Sequence, residues 1–120
     1  MSKRILFVED ESSARGVMAG ALRGAGWLVE EAQDGEEGLS KLQNAPGSFD
    51  LVITDVSMPS MSGPEMLQAA EKALGAAKIL LISGYAQPAE GSLSGRSISF
   101  LGQPVATPDL LSRVKELMGS

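Results

Sequence analysis

Leu51-Val-Ile-Thr-Asp55-Val-Ser-Met-Pro59 is an apolar run that meets an acid and then a proline at its C-terminal end. The run does not alternate between apolar and polar residues, and helical patterns flank it on both sides. Such a segment reads as a strand buried on both faces at the centre of a parallel sheet. Open α/β folds place their ligands at the C-terminal edge of that sheet, which makes Asp55 a candidate functional carboxylate. A second run, Ile5-Leu-Phe-Val8, ends in the same way, at Glu9-Asp10-Glu11. If the two strands are parallel neighbours, their acids converge on one crevice, where mutual repulsion calls for a cation. Oxygen ligands with no imidazole or thiolate favour a hard ion, Mg2+ first. Asp55 can then be a ligand, a nucleophile or both.

Composition narrows the chemistry. The 120 residues suit one domain, 1–120, with a single hydrophobic core. There is no cysteine and no histidine, which removes disulfides, thiol and imidazole catalysis and zinc sites of the usual kind. Any nucleophile is therefore a carboxylate, a hydroxyl or a lysine. Fifteen acidic against ten basic residues give a formal charge of -5, which argues against a nucleic-acid surface. The N-terminus lacks the apolar core of a signal peptide, and no apolar run approaches the roughly 20 residues of a membrane span. The expectation is a cytoplasmic chain with no direct membrane contact.

The remaining chain supplies alternating helices and strands. Ala14, Val17, Met18, Ala21, Leu22 and Ala25 recur at helical spacing before Gly26, and Gly16, Gly20 and Gly24 lie on the other side. Residues 27–29 suggest a second short strand, and Asp34 with Glu37 a capping box for a second helix carrying Leu39 and Leu42. After a loop over 44–50, Ser62-Gly-Pro-Glu65 opens a third helix whose buried face is Met66, Leu67, Ala70, Ala73 and Leu74. Residues 78–82 form a fourth strand ending at Ser83-Gly-Tyr85. The stretch 86–96, rich in glycine, proline and serine, supports only a short helix and is expected to be the most mobile part of the functional side. Residues 98–101 give a fifth strand, and Thr107-Pro-Asp109 starts a last helix with Leu110, Leu111, Val114, Leu117 and Met118 inward.

These residues resemble the receiver domain of bacterial two-component response regulators over essentially the whole chain. The resemblance is carried by Ile5-Leu-Phe-Val-Glu-Asp10, Asp55-Val-Ser-Met-Pro59 with Ser62-Gly63, Ser83-Gly84, and the segment from Phe100 to Pro104. It implies a flavodoxin-like, doubly wound α/β fold with a five-stranded parallel sheet in the order 2-1-3-4-5 and helices on both faces. It also implies that Asp55 accepts a phosphoryl group from a histidine kinase or a histidine phosphotransfer protein, with slow self-dephosphorylation, and that a downstream protein reads the change. Glu9 and Asp10 match the acids that hold Mg2+, Asp10 directly and Glu9 through water, with the Ser57 backbone carbonyl as a further ligand. Ser83 matches the hydroxyl that follows the phosphoryl oxygen, and Phe100 the aromatic that reports it. Read without the resemblance, Ser83 simply ends a strand and Phe100 alternates with Ile98 on a core face. Pro104 in the family follows a cis peptide.

One position departs from the family. The pattern Phe-Leu-x-Lys-Pro carries a lysine that reaches the phosphoryl group, whereas this chain has Phe100-Leu-Gly-Gln103-Pro104. Glutamine donates a hydrogen bond but no charge. No lysine or arginine is expected near the C-terminal end of another strand, unless Arg96 folds back. Two other classes of function remain beside a phosphoacceptor. One is a pseudo-receiver that binds proteins without a phosphate switch, and the other is a small Mg2+-dependent phosphohydrolase. A flavodoxin-like nucleotide binder is disfavoured, because the loop after the first strand is acidic where a phosphate cradle offers glycine-rich backbone donors.

Overall fold

The computed structural model describes residues 3–84 and 98–119. In chain order the elements are β1 (Arg4–Val8), α1 (Ser12–Gly24), β2 (Leu28–Ala32), α2 (Gly35–Asn44), β3 (Leu51–Asp55), α3 (Gly63–Ala69), α4 (Glu71–Leu74), β4 (Lys78–Ser83), β5 (Ile98–Gly102) and α5 (Thr107–Met118). The strands form one parallel sheet in the order β2-β1-β3-β4-β5, as the resemblance implied. The chain order reverses between β1 and β3, so the first crossover runs to one side of β1 and the later ones to the other. No helix of the described residues is long and apolar enough to cross a membrane. The expected mobile stretch 86–96, with Tyr85 and Arg96, lies outside the described residues.

The period of two along each strand separates two cores. Leu6, Val8, Val52, Ile79 and Leu81 face one side, where Leu42 of α2 and Met66, Leu67, Ala73 and Leu74 of α3 and α4 cover them. Ile5, Phe7, Leu51, Ile53, Leu80 and Ile82 face the other, against Ala19 and Leu22 of α1 and Leu110, Val114 and Met118 of α5. Each large side chain buried in this way contributes about 1.5–3 kcal/mol. All five residues of β3 are buried, as its unbroken apolar run foretells. The expected faces of α3, α4 and α5 are also found, with Leu111 and Leu117 partly buried.

Capping follows the sequence signals closely at three helix ends. Ser62 Oγ accepts from the Glu65 amide at 3.1 Å, and Glu65 returns the bond to the Ser62 amide at 2.9 Å. Asp34 caps α2 through the Glu37 amide at 2.8 Å, while Glu37 reaches back to the Gln33 amide at 2.7 Å. At the end of α1, Gly26 takes φ +104°, its amide donates to the Arg23 carbonyl and the Trp27 amide donates to the Leu22 carbonyl. This paired arrangement satisfies two carbonyls left open by the helix end. Trp27 and Leu22 then meet in the same core.

Three expectations need correction. The inner face of α1 is centred on Ala19 and Leu22 with Met18 beside them, whereas Val17 is 65% exposed and Ala25 is exposed. The second strand is Leu28–Ala32, not 27–29. Its extension carries Glu30 and Glu31, which conceal it from an apolar pattern. They are accommodated on an edge strand by ion pairs, Glu30 with Arg4 and Lys41, and Glu31 with Arg15 and Arg23. Finally, the single helix expected after Ser62 is divided at Ala70 into α3 and α4, whereas the helix start expected at Thr107 is found.

Candidate functional site

The C-terminal ends of β1, β3, β4 and β5 bound a crevice of about 480 Å³, lined by Glu9, Asp10, Glu11, Asp55, Val56, Ser57, Ile82, Ser83, Gly84 and Gln103. The structure therefore brings together Glu9, Asp10, Asp55, Ser57, Ser83 and Gln103. Phe100 is different. It is partly buried, packs against the core on the α2 and α3 side of the sheet, and is not among the residues lining the crevice.

Asp55 is only 5% exposed because it ends the central strand, and backbone bonds on both sides fix that end. The Val56 amide donates to the Ile82 carbonyl at 2.9 Å, and the Gly63 amide donates to the Val56 carbonyl at 2.9 Å. The loop returns so closely that a Cβ on Gly63 would lie 2.2 Å from the Asp55 carbonyl oxygen. Glycine is thus required at position 63 by close approach. Neither its place at a helix start nor its part in the family pattern gives that reason.

Glu9 is buried as well, and it is tied down twice. Its carboxylate accepts from the Glu11 amide at 3.0 Å, and its carbonyl accepts from Arg15 Nη1 at 2.7 Å. Arg15 also pairs with Glu31, so it acts as a positioning residue that links α1, β2 and the end of β1. It corrects the expectation that no arginine or lysine approaches a strand's C-terminal end. Its signal was weak, because a charged residue on the inner face of a helix reads as a break in the apolar period.

Glu9, Asp10 and Asp55 each offer a carboxylate oxygen, and these oxygens lie within 4.8 Å of one another. Asp10 is exposed, while the other two are buried. An all-oxygen set this close, open on one side to water, can hold a divalent cation. Without one, burial pushes the Asp55 carboxyl up to about 8, helped by its hydrogen bond to Glu9 and by the charges of Glu9 and Asp10. Asp55 also accepts a bond from Gln103 Nε2 at Oδ1, 3.0 Å away. The glutamine at the departing position thus reaches the central carboxylate directly. Its own amide N–H donates to the Ser83 carbonyl at 2.9 Å, and the Gln103-Pro104 peptide is cis.

The raised carboxyl has a consequence for stability. A group whose folded pKa lies above its unfolded value contributes stability that is fully present below the unfolded pKa and is lost as pH rises through the folded one. In chelator, the melting temperature is therefore expected to fall as pH rises from about 4 to about 8. The change should be on the order of a few kcal/mol, or about 10 °C. Asp55→Asn should flatten this profile in thermal melts monitored by circular dichroism. An equally steep decline in the variant would place its cause elsewhere.

The chain matches the response regulator receiver domain family over residues 5–115. It is 32% identical over 118 residues to the response regulator receiver protein CpdR of Brucella abortus, covering 97% of both chains. It is 34% identical over 119 residues to the sensor kinase CckA of the same organism, but spans only 13% of that protein's length. Among solved structures, the receiver domain of the hybrid histidine kinase CckA superposes with a TM-score of 0.84 at 43% identity, covering 96% of this chain and 98% of that one. The chemotaxis protein CheY4 of Vibrio cholerae gives a TM-score of 0.85 at 32% identity, covering 98% and 99%. With the sheet order, the acidic crevice and these likenesses in agreement, the chain belongs to the receiver domains of two-component response regulators, phosphoacceptor modules of signal transduction.

Proposed function

We propose that residues 1–120 act as one receiver domain in which Asp55 takes a phosphoryl group from a histidine kinase or a histidine phosphotransfer protein. In the transfer, the phosphorus–nitrogen bond of the donor phosphohistidine breaks as a bond forms to an Asp55 carboxylate oxygen. The observation that carries this reading is the position of Asp55, buried at the end of β3 and facing Glu9 and Asp10 across the crevice. The kinase identity of two of the similar proteins supports the class of donor. In this reading the domain works in the cytoplasm and contacts neither nucleic acid nor membrane directly. Phosphorylation changes its affinity for a downstream protein.

Mg2+ is the cation that this oxygen set favours, since it needs few carboxylates and keeps several waters. Asp10, Asp55 and the Ser57 carbonyl would hold it directly, and Glu9 through water. When bound, it supplies charge neutralisation to the transferring group. The chain's own residues do the rest. Asp55 attacks, Ser83 places its hydroxyl toward the new phosphoryl oxygens, and Gln103 offers one neutral donor. Hydrolysis of the acyl phosphate by water returns Asp55 to its free form, which makes the domain a slow autophosphatase, not a metabolic enzyme.

Asp10→Ala tests the metal arm. Calorimetry should show Mg2+ affinity weakened at least about tenfold relative to wild type, in line with the loss of one ligand. Incubation with a small phosphodonor should then label the wild type only when Mg2+ is present. Labelling that is indifferent to Mg2+ would refute the metal's role. Gln103 favours a second reading, a pseudo-receiver that binds partners through this fold without a phosphate switch. Failure of every phosphodonor to modify the protein would decide for it.

A further inference from the structure

We propose that Gln103 sets how tightly the crevice binds a divalent cation, because a neutral amide at this position places no positive charge beside the carboxylates to compete with the metal. The inference rests on the reading of the crevice as a Mg2+ site and adds to it a residue that tunes affinity without being a ligand.

Gln103 is held in register with the acids. Its backbone amide donates to the Ser83 carbonyl, and its side-chain Nε2 donates to Asp55 Oδ1 at 3.0 Å. The amide oxygen rests beside Gly84, where an added Cβ would lie 3.1 Å away. The side chain is therefore laid along the rim with its donor toward Asp55 and its acceptor over a glycine.

Four acids, Glu9, Asp10, Glu11 and Asp55, line the crevice, and no lysine or arginine lines it among the described residues. Arg15 is engaged with the Glu9 carbonyl and Glu31. A lysine at 103 with similar reach would put a full positive charge next to Asp55, within about 5 Å of an ion bound to that carboxylate. The charges +1 and +2 repel at that distance, and the ammonium competes for the same oxygens. Even with a dielectric close to that of water, this opposes cation binding by about tenfold or more. The glutamine amide exerts no such repulsion, and its single neutral hydrogen bond is easily exchanged for one to water. The crevice is thus biased toward the metal-loaded state. Phosphoryl acceptance depends on the divalent cation as the main positive charge.

The test is calorimetric titration of MgCl2, and separately MnCl2, into the 120-residue wild type, Gln103→Lys and Gln103→Met. Circular dichroism melts in chelator establish that each variant is folded, and position 103 is exposed enough to accept both side chains. Gln103→Lys should bind both ions about tenfold or more weakly, with the difference shrinking as ionic strength rises. Gln103→Met should stay within about threefold of wild type, since it removes the donor but adds no charge. A lysine variant that binds as tightly as wild type overturns the proposal while leaving the Mg2+ reading intact. A methionine variant as weak as the lysine one also overturns it, because the amide and not the charge would then matter. If wild type binds neither ion at millimolar concentration, the Mg2+ reading itself fails and this inference falls with it.

Discussion

Asp55→Asn is expected to reduce phosphorylation by any donor to background while leaving the protein folded. The crevice contains several carboxylates, yet their surroundings assign them different work. Glu9 is immobilised by the Glu11 amide and, through its carbonyl, by Arg15. Asp10 is exposed at the rim. Asp55 alone combines burial at the end of the central strand with an open approach from the crevice. An amide oxygen is a poor nucleophile and cannot form an acyl phosphate that hydrolyses back to the starting residue. Glu9→Gln, by contrast, should slow labelling without abolishing it. Mass spectrometry of the wild type should place the modification on the peptide containing Asp55, labile to base and to hydroxylamine. Substantial label remaining in Asp55→Asn would show that another acid accepts the phosphoryl group. The variant also provides its own folding control. It removes a carboxyl pressed against Glu9, so in chelator near pH 8 it should melt above the wild type.

Gly63→Ala is expected to be the most damaging single methyl group that can be added near the site. The new Cβ would meet the Asp55 carbonyl oxygen at 2.2 Å, and the Asp55 carbonyl carbon and Thr54 Cγ2 at 3.1 Å. Backbone cannot rotate away as a flexible side chain can. Movement of the Asp55 carbonyl disturbs its bond from Thr54 Oγ1, and movement of residue 63 breaks its bond to the Val56 carbonyl. Overpacking against fixed backbone costs about 3 kcal/mol or more, a loss of about 10 °C or more in melting temperature. Metal affinity should fall as well, because the strand end that carries Asp55 is displaced. Gly20→Ala is the natural contrast. Nothing lies within 4 Å of a Cβ there, and alanine improves helix propensity by up to about 1 kcal/mol. It should raise the melting temperature. If Gly63→Ala melted within a degree or two of wild type, the loop after β3 would have to be looser than its hydrogen bonds indicate.

How far the primary structure reaches is clear from particular elements. The unbroken run at 51–54 and the acid that ends it imply a central parallel strand with a functional carboxylate, because burial on both faces excludes alternation. Ser62 and Glu65 mark a helix start through a reciprocal bond between residues only three apart, and the structure contains that bond. The meeting of Glu9 and Asp10 with Asp55 follows from the sequence if the strands that they end are parallel neighbours. Relations between segments distant in sequence had to wait for the tertiary structure. The apolar period misplaces the inner face of α1, because Arg15 lies inward, drawn by the Glu9 carbonyl and Glu31, while Val17 is exposed. The length of β2 was hidden because the ion partners of Glu30 and Glu31 come from β1, α1 and α2. The need for glycine at 63 arises from a carbonyl eight residues back, and no local propensity records that contact. Likewise the departure at Gln103 was visible as a missing charge. Its hydrogen bond to Asp55, across 48 positions of sequence, exists only because β3 and β5 end at the same edge of one sheet.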